Sequence, residues 1–196
     1  MPPITLSHGA WVELSDAWLE GEEARSVERT LIAELDWEQR HILLFGKRIL
    51  QPRLIAWAGE LPYRYSGQTL EPRPWPALVL ALRGRVIAST GVDFNHVLIN
   101  RYRDGNDSMG YHADAEPELG PDPQVACVSL GAARRFFLRP RSGARGERPL
   151  VLTLTHGSLL IMGGTCQRHY RHAVPREVGS GAERISLTFR KLLRAP

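Results

Sequence analysis

The sequence predicts an α+β domain whose strands form a sandwich or jelly-roll core. Two helical patterns occur before Gly91, and the chain after it alternates apolar and polar residues with the period of two that is typical of strands. Many strands that follow two early helices favour this class over a parallel α/β fold. With 196 residues, the chain is long enough to bury a core as one domain, and a jelly roll can hold a small ligand in its interior.

Two helices are predicted in the first part of the chain. Ser15 or Asp16 could cap the first helix, whose apolar residues are spaced by three or four positions. Pro76 is a favourable first-turn residue for the second helix, which is expected to end before Gly91. The apolar stripes of the two helices are Ala24, Val27, Leu31 and Leu35 in the first and Trp75, Leu78, Leu82 and Val86 in the second.

Short strands and loops are predicted for residues 40–73, and eight further strands are predicted after Gly91. The stretch LVLTLTHGSLLIMGG is interpreted as a hairpin that turns at His156-Gly157. The strands after Gly91 are expected at residues 93–103, 109–114, 125–130, 135–139, 150–155, 158–162, 170–174 and 184–192.

The composition excludes several classes of protein. No apolar run is long enough to cross a membrane, and the N-terminus lacks the pattern of a secretory signal. Two cysteines, Cys127 and Cys166, do not make a disulfide framework, so we expect a cytoplasmic protein. We also expect a monomer. Residues 11–38 hold nine acids and two arginines, whereas the rest of the chain holds 12 acids and 23 basic residues. Such asymmetry suits a basic face that meets a polyanion.

The stretch GYHADAEPELG places His112, Asp114 and Glu116 on alternate positions. Residues two apart on a strand point to the same face, so these side chains are predicted to converge. Such groups are costly to bury unless they are paired or hold a metal. His-x-Asp alone is a weak signal, and a metal needs a third ligand. The candidates elsewhere in the chain are His96, His156, His169 and His172.

His172 is the preferred third ligand. His156 is expected in a turn and His96 in a strand core, while His169 and His172 lie three residues apart and point to opposite faces of a strand. His172 precedes the apolar pair Ala173-Val174, which indicates the inward face. Two histidines and one carboxylate form the facial triad of non-haem Fe(II) oxygenases, which leaves coordination positions open.

The last strand, RISLTFR, carries polar residues on one face and apolar residues on the other. Arg184 and Arg190 stand about 20 Å apart along the strand, and two converging guanidiniums can hold the ends of a short dicarboxylate. Asn100 and Tyr102 share a face of FNHVLINRY and can orient a carboxylate by hydrogen bonds. Exposed arginines at the two ends of a strand are the commoner interpretation of this pattern alone.

Taken together, the motifs of residues 100–192 resemble the AlkB family of Fe(II)- and 2-oxoglutarate-dependent dealkylating dioxygenases. Looser similarity reaches back to about residue 40 and is greatest to the duplex-repairing animal-type branch. The segments that carry the resemblance are, in order, LFGK, YRYSG, PWP, FNHVLINRYRDG, NRYRDGNDSMGYHADAE, HGSLLIMGG, YRHAVP and RISLTFRK.

The resemblance implies a double-stranded β-helix, which is a jelly-roll fold, with N-terminal helices and a nucleotide-recognition lid in residues 1–90 and the catalytic core in residues 91–196. It implies that His112, Asp114 and His172 hold Fe(II), and that O₂ and the co-substrate 2-oxoglutarate bind beside the metal. The residues that it assigns to 2-oxoglutarate are Asn100, Tyr102, Arg184, Ser186 and Arg190.

Two departures concern the site. The family often has Asn where this chain has Ser186, which reaches less far, and close relatives carry an acid where this chain has Ala115. Reading of the damaged base would then depend more on Glu116. Tyr63 and Tyr65 in YRYSG share a strand face, where a ring could stack on the base, although half-buried strand aromatics are an ordinary feature.

The predicted function is therefore oxidative removal of N-alkyl groups from bases in DNA, with RNA as an alternative substrate, and with release of aldehyde, succinate and CO₂. Two other functions stay open: an oxygenase of the same class acting on RNA, protein or a small molecule, and a nucleic-acid-binding module without turnover. The intact triad and arginines count against the second. A zinc hydrolase is disfavoured because no H-E-x-x-H occurs.

Phe45, in LLFGKR, is predicted to act as a wedge in duplex DNA. Gly46 permits a tight turn, and Lys47 and Arg48 can contact phosphates on either side. An inserted aromatic ring would fill the gap left by a flipped base and offset part of the unstacking cost of a few kcal/mol. The alternative is that Phe45 packs beneath its hairpin.

We expect Phe45→Ala to reduce repair of duplex lesions several-fold while sparing single-stranded substrates and the melting temperature, because a single strand has no stack to open. Repair rates on matched single- and double-stranded oligonucleotides measure this. A parallel loss on both substrates, with a lower melting temperature, would show that Phe45 is a packing residue.

Overall fold

Two antiparallel sheets pack face to face, and helices cover the outer face of the larger sheet. In this computed structural model, residues 2–44, 46–65, 67–141 and 148–193 are described, and the backbone alone is described for Leu43 and Leu44. The larger sheet has seven strands and the smaller has four. This arrangement confirms the predicted α+β class with a jelly-roll core.

The strands of the described residues belong to the two sheets and to two short hairpins. They are β1 (Ile4–Thr5), β2 (Ala10–Ser15), β3 (His41–Leu44), β4 (Lys47–Leu50), β5 (Leu54–Gly59), β6 (Tyr63–Tyr65), β7 (Gln68–Leu70), β8 (His96–Tyr102), β9 (Met109–His112), β10 (Val125–Gly131), β11 (Arg134–Pro140), β12 (Leu150–Leu154), β13 (Ser158–Gly164), β14 (Tyr170–Val174) and β15 (Arg184–Arg190). The larger sheet has the strand order β1-β2-β13-β10-β15-β8-β5, and the smaller has the order β12-β11-β14-β9.

The helices are α1 (Gly21–Glu34), α2 (Ala77–Thr90) and the short α3 (Cys166–His169), with 3₁₀ turns at Ser7–Gly9 and Pro117–Leu119. Helix α2 ends as predicted: Gly91 adopts a left-handed conformation with φ of 71° and its N–H caps the carbonyl of Ile87. None of the described helices has the length and apolar content to span a bilayer.

The predicted start of the first helix was wrong. Ser15 is the last residue of β2, where it pairs with Leu159, and so it cannot cap α1. The helix begins at Gly21 and has Glu20 at its N-cap position, without a side-chain capping bond. A strand contact distant in sequence therefore outweighs a local capping preference.

The core has two layers that share the larger sheet. On the outer face, Val27 and Leu31 of α1 and Leu82 of α2 pack with the apolar face of β15. On the inner face, residues of the larger sheet such as Leu160 pack against Phe136 of the smaller sheet. The inner face is also where the polar face of β15 lies, so the predicted division of this strand into two faces is confirmed.

The predicted hairpin at His156-Gly157 was wrong in its pairing. The turn occurs there, but β12 pairs with β11 in the smaller sheet while β13 pairs with β10 and β2 in the larger sheet. The turn is thus a corner between two sheets. Gly157 has φ of 80°, and a Cβ there would lie 2.0 Å from the carbonyl oxygen of Leu19, which explains the glycine.

The two N-terminal hairpins lie at one end of the inner layer. Hairpin β3–β4 pairs His41 with Leu50, and hairpin β6–β7 pairs Tyr63 with Leu70. Tyr63, Tyr65 and Leu70 pack on Leu98 of β8 and on neighbouring apolar side chains. Residues before position 90 also contribute β2 and β5 to the larger sheet.

Candidate active site and metal centre

The three predicted metal ligands meet at the edge of the smaller sheet. His172 of β14 is paired directly with His112 of β9, and the centroids of their rings lie 4.1 Å apart. Asp114 lies two residues beyond the end of β9, not within the strand as predicted, yet its carboxylate still reaches the histidines. One ligand atom from each residue lies within 4.8 Å of the other two. His169 is instead stacked on His8, away from this cluster.

The protonation of the cluster suits metal binding. His112 donates from Nδ1 to the carbonyl oxygen of Gly110 at 2.9 Å, which leaves the lone pair of Nε2 for a metal. Burial and the neighbouring His112 lower the pKa of His172 to about 3, so His172 is neutral at pH 7. Burial alone would raise the pKa of Asp114, but Arg190 and the two histidines outweigh it and lower that pKa to about 2. The site therefore offers two neutral imidazoles and one carboxylate.

Buried polar atoms without partners test whether a metal fits here. Asp114 Oδ2 and His172 Nδ1 are buried and have no hydrogen-bond partner among the described residues. Leaving a charged oxygen unpaired in the interior is costly, whereas a cation between the three side chains would satisfy Asp114 Oδ2. The donor set of nitrogen and oxygen with open positions fits Fe(II).

Two further side chains fix Asp114. Arg190 of β15 donates from Nη2 to Asp114 Oδ1 at 2.8 Å, and both side chains are only 2% exposed. The backbone N–H of Asp114 donates to Oε1 of Gln167 at 2.9 Å. Sequence reasoning missed Gln167, because nothing in α3 distinguishes it from an ordinary polar loop residue.

A cavity beside the triad is lined by all five predicted co-substrate residues. Strands β8 and β15 pair so that Asn100 lies opposite Ser186 and Tyr102 lies opposite Arg184. The two strands therefore present one continuous polar surface to the interior. The cavity is lined by Asn100, Tyr102, Met109, His112, Cys127, Phe136, Met162, His172, Val174, Arg184, Ser186, Thr188 and Arg190.

Arg184 is the strongest indication that this cavity takes an anion. The side chain is 1% exposed and donates to Ser129 Oγ at 2.8 Å, while its Nε and Nη1 have no partner among the described residues. Arg134, which is also buried, adds a second positive charge nearby. A buried guanidinium without a carboxylate is strongly unfavourable, so a carboxylate of 2-oxoglutarate fits at this end of the cavity.

Comparisons with known proteins agree with this geometry. Residues 12–190 match the family described as "2OG-Fe(II) oxygenase superfamily". Alpha-ketoglutarate-dependent dioxygenase alkB homolog 3 of Bos taurus is 40% identical over 203 residues, which cover 100% of this chain and 70% of that protein. DNA oxidative demethylase ALKBH2 of Mus musculus is 41% identical over 182 residues, which cover 87% and 76% of the two chains.

The chain belongs to the AlkB family of 2OG-Fe(II) oxygenases. Its cofactor is Fe(II), and it uses 2-oxoglutarate and O₂. The chain spans 61% to 70% of the length of the mammalian alkB homolog 3 proteins that it matches. The solved structure of OsALKBH1 has a TM-score of 0.65 and 17% identity, covers 97% of this chain and 100% of that one, and supports the fold alone.

The residues predicted to contact the base have different surroundings in this AlkB-family chain. The ring of Tyr63 is fully buried and lies below the guanidinium of Arg190, 5.4 Å from its centre. Glu116 lies close enough to Tyr63 and Asp114 for each to affect its pKa, and burial and the Asp114 carboxylate raise the pKa of Glu116. Tyr65 is also buried, and its hydroxyl accepts a hydrogen bond from Arg53. Phe45 lies outside the described residues.

A histidine that was predicted only as a core residue lies next to Arg190. His96 pairs with Arg190 across the strands, and its ring centroid lies 4.8 Å from that of Tyr63. Burial and the Arg190 charge lower its pKa to about 3. His96 is therefore a neutral side chain next to Arg190.

We expect His172→Ala to abolish turnover and to lower Fe(II) affinity at least about 100-fold, because one of three ligands is lost. His169→Ala is the matched control and should leave both properties unchanged, because His169 is stacked on His8. Anaerobic Fe(II) titration and succinate release measure the two properties. The reverse pattern would mean that the third ligand is His169.

We expect Arg190→Lys to raise the apparent 2-oxoglutarate requirement about tenfold, because lysine keeps the charge but loses the planar fork that contacts Asp114 and faces the cavity. Arg101→Lys is a control on the neighbouring strand, because Arg101 points away from the cavity and pairs with Glu183 at 2.8 Å. Succinate release at varied 2-oxoglutarate gives the requirement. No change for Arg190→Lys would show that this guanidinium does not serve the co-substrate.

Proposed function

We propose that this protein removes alkyl groups from the nitrogens of damaged DNA bases by oxidation. The observation that carries the proposal is the buried triad of His112, Asp114 and His172 beside a cavity that ends in the unpaired Arg184. Relatives at about 40% identity that are named alpha-ketoglutarate-dependent dioxygenase alkB homolog 3 and DNA oxidative demethylase ALKBH2 support the choice of reaction and substrate.

Each group at the site has its own role in the proposed reaction. Fe(II), when bound with 2-oxoglutarate and O₂, supplies the oxidation of an N-alkyl carbon, with 2-oxoglutarate converted to succinate and CO₂. The bond between the hydroxylated carbon and the base nitrogen then breaks: the hydroxyl group loses its proton, the carbon leaves as an aldehyde, and the nitrogen keeps the bonding electron pair. Asp114, His112 and His172 would hold the metal, and Arg184 would hold the distal carboxylate of 2-oxoglutarate.

The substrate end of the site lies opposite Arg184. Tyr63, His96 and Glu116 surround Arg190 and Asp114, and each carries a buried polar atom without a partner among the described residues. These atoms can bind the polar edge of a base that has left its stack. Burial and the nearby Asp114 carboxylate raise the pKa of Glu116, and this proximity to a proposed metal ligand supports a role for Glu116 in binding the base.

A basic surface beside the triad favours a polyanionic substrate. Tyr111 of β9 is 38% exposed, and the guanidinium of Arg139 lies 3.7 Å from the centre of its ring. Arg139 pairs across the strands with Arg171, and both arginines are exposed without an ion pair to any described acid. Exposed guanidiniums beside an aromatic ring suit phosphates and bases, and so they support nucleic acid over a small molecule or a peptide.

Two further parts of the proposal concern the location and the oligomeric state of the protein. Cys127 and Cys166 are buried free thiols, which suits a reducing compartment, and we propose a cytoplasmic location. We also propose that the protein acts as a monomer, since all ligands of the proposed site come from one chain.

The experiment that tests the function is a panel of substrates with two products measured. Succinate and aldehyde are followed with alkylated DNA oligonucleotides, single-stranded and duplex, and with alkylated RNA, unmodified DNA and an alkylated peptide. Equal amounts of succinate and aldehyde with alkylated DNA alone, or with DNA and RNA, support the proposal. Coupled product formation only with the peptide would overturn it.

We expect Glu116→Ala to reduce aldehyde formation from alkylated DNA more than it reduces uncoupled 2-oxoglutarate decarboxylation, because Glu116 belongs neither to the metal cluster nor to the residues that line the cavity. The loss should be at least about tenfold, which corresponds to one hydrogen bond to a charged group. Equal losses in both reactions would show instead that Glu116 supports the metal.

A further inference from the structure

Arg53 is a buried cation that neither the family motifs nor the triad account for. The residue precedes β5, is 4% exposed and has no carboxylate within ion-pair distance among the described residues. A guanidinium is retained in such a position only when its donors are used. The three groups that accept its hydrogen bonds therefore indicate its role.

Each accepting group belongs to a different part of the fold. Arg53 donates from Nε to Oδ1 of Asn100 on β8 at 2.9 Å and from Nη1 to the carbonyl oxygen of Ser108 at 2.9 Å. The third bond runs from Nη2 to the hydroxyl of Tyr65 on β6. One rigid planar group thus joins the co-substrate strand, the segment before the triad and the β6–β7 hairpin.

The bond to Asn100 determines which end of its amide faces the cavity. A guanidinium can only donate, so the oxygen of Asn100 must point to Arg53 and the NH₂ group is left for the cavity, which Asn100 lines. An NH₂ donor is what a carboxylate needs, whereas the amide oxygen would repel it. Arg53 therefore sets Asn100 in the orientation that binds 2-oxoglutarate.

The bond to Tyr65 connects this orientation to the proposed substrate end. Tyr63 and Tyr65 lie on the same face of β6, and Tyr63 packs on His96 near Arg190. A displacement of the hairpin by a base beside Tyr63 would also move the Tyr65 hydroxyl. Because Tyr65 and Asn100 are held by the same guanidinium, such a displacement would act on the co-substrate.

We propose that Arg53 is a positioning residue that couples occupancy of the base pocket, through Tyr65, to the binding of 2-oxoglutarate, through Asn100. The substrate half of this coupling rests on the proposed function, whereas the orientation of Asn100 does not depend on it. Coupling free energies between two sites are reciprocal and commonly change affinity by about 5- to 150-fold. Binding of an alkylated base should therefore tighten binding of 2-oxoglutarate.

The test measures 2-oxoglutarate binding by calorimetry with the Fe(II)-loaded protein in the absence of O₂, with and without an alkylated single-stranded DNA oligonucleotide. In the unchanged protein, the oligonucleotide should tighten binding at least about fivefold. Tyr65→Phe removes one hydroxyl and should bring this ratio to about one, because the hairpin then no longer shares the Arg53 guanidinium with Asn100. Arg64→Lys is the matched control, because Arg64 lies between the two tyrosines with its side chain exposed, and it should keep the ratio.

Arg53→Lys tests the co-substrate half without any nucleic acid. Lysine cannot span the three acceptors, so 2-oxoglutarate alone should bind at least about tenfold more weakly, because a charge-assisted bond and the amide orientation are lost. Unchanged binding would overturn the role of Arg53 in orienting Asn100. The coupling would be overturned if the oligonucleotide still tightens 2-oxoglutarate binding in Tyr65→Phe. It would also be overturned if the oligonucleotide does not tighten this binding in the unchanged protein. Failure of the oligonucleotide to bind at all would contradict the proposed function and leave the Arg53→Lys result to decide the co-substrate half.

A purely structural role gives a different pattern. If Arg53 served only to hold the Ser108 carbonyl, Arg53→Lys would lower the melting temperature and Tyr65→Phe would leave the ratio of the two dissociation constants unchanged. That outcome would refute the coupling, because the ratio is insensitive to a uniform loss of stability. Melting curves for each variant accompany the calorimetry.

Discussion

The buried ion pair between Arg190 and Asp114 is the interaction on which the rest of the site depends. Arg190 belongs to the larger sheet and Asp114 follows the edge strand of the smaller sheet, so the pair joins the two sheets. Nη2 of Arg190 lies 2.8 Å from Oδ1 of Asp114, and both side chains are almost fully buried. Removing one partner of such a pair costs about 3–5 kcal/mol, because the other charge stays buried alone. The pair also keeps Asp114 ionised and fixes one of its oxygens, which leaves the other free for a metal.

The interior between the two sheets contains buried polar atoms that bound ligands would satisfy. Arg184 and Asp114 keep buried polar atoms without partners among the described residues, and each such atom costs about 1–3 kcal/mol. The apolar face of β15, packed against α1 and α2, offsets this cost on the other side of the same strand. Metal and 2-oxoglutarate would satisfy these atoms, so their binding should stabilise the fold as well as prepare the reaction.

Most hydrogen bonds that orient the predicted site residues come from backbone groups or from side chains outside the family motifs. Gln167 holds the backbone of Asp114, Gly110 fixes the tautomer of His112, and Arg53 fixes the amide of Asn100. Supporting residues of this kind set the geometry of a site to within a fraction of an ångström. The side chains at the metal and co-substrate positions are thus held in one orientation, whereas Tyr111 beside them is exposed.

The sequence by itself determined most strands after Gly91, the two faces of β15 and the three residues of the metal cluster. Period-two patterns are local, so they placed β14 at its observed bounds, assigned opposite faces to Arg184 and Ile185, and led to His172 over His169. Only the tertiary structure decided which strands pair, where α1 begins and what Arg53 and Gln167 do. Those outcomes depend on contacts between residues far apart in sequence, such as the 76 positions between Arg190 and Asp114 and the 47 between Arg53 and Asn100. A strand pattern specifies which side of a strand is buried but not which strand lies beside it, and so the partners of a buried charge become visible only when the two sheets are packed together.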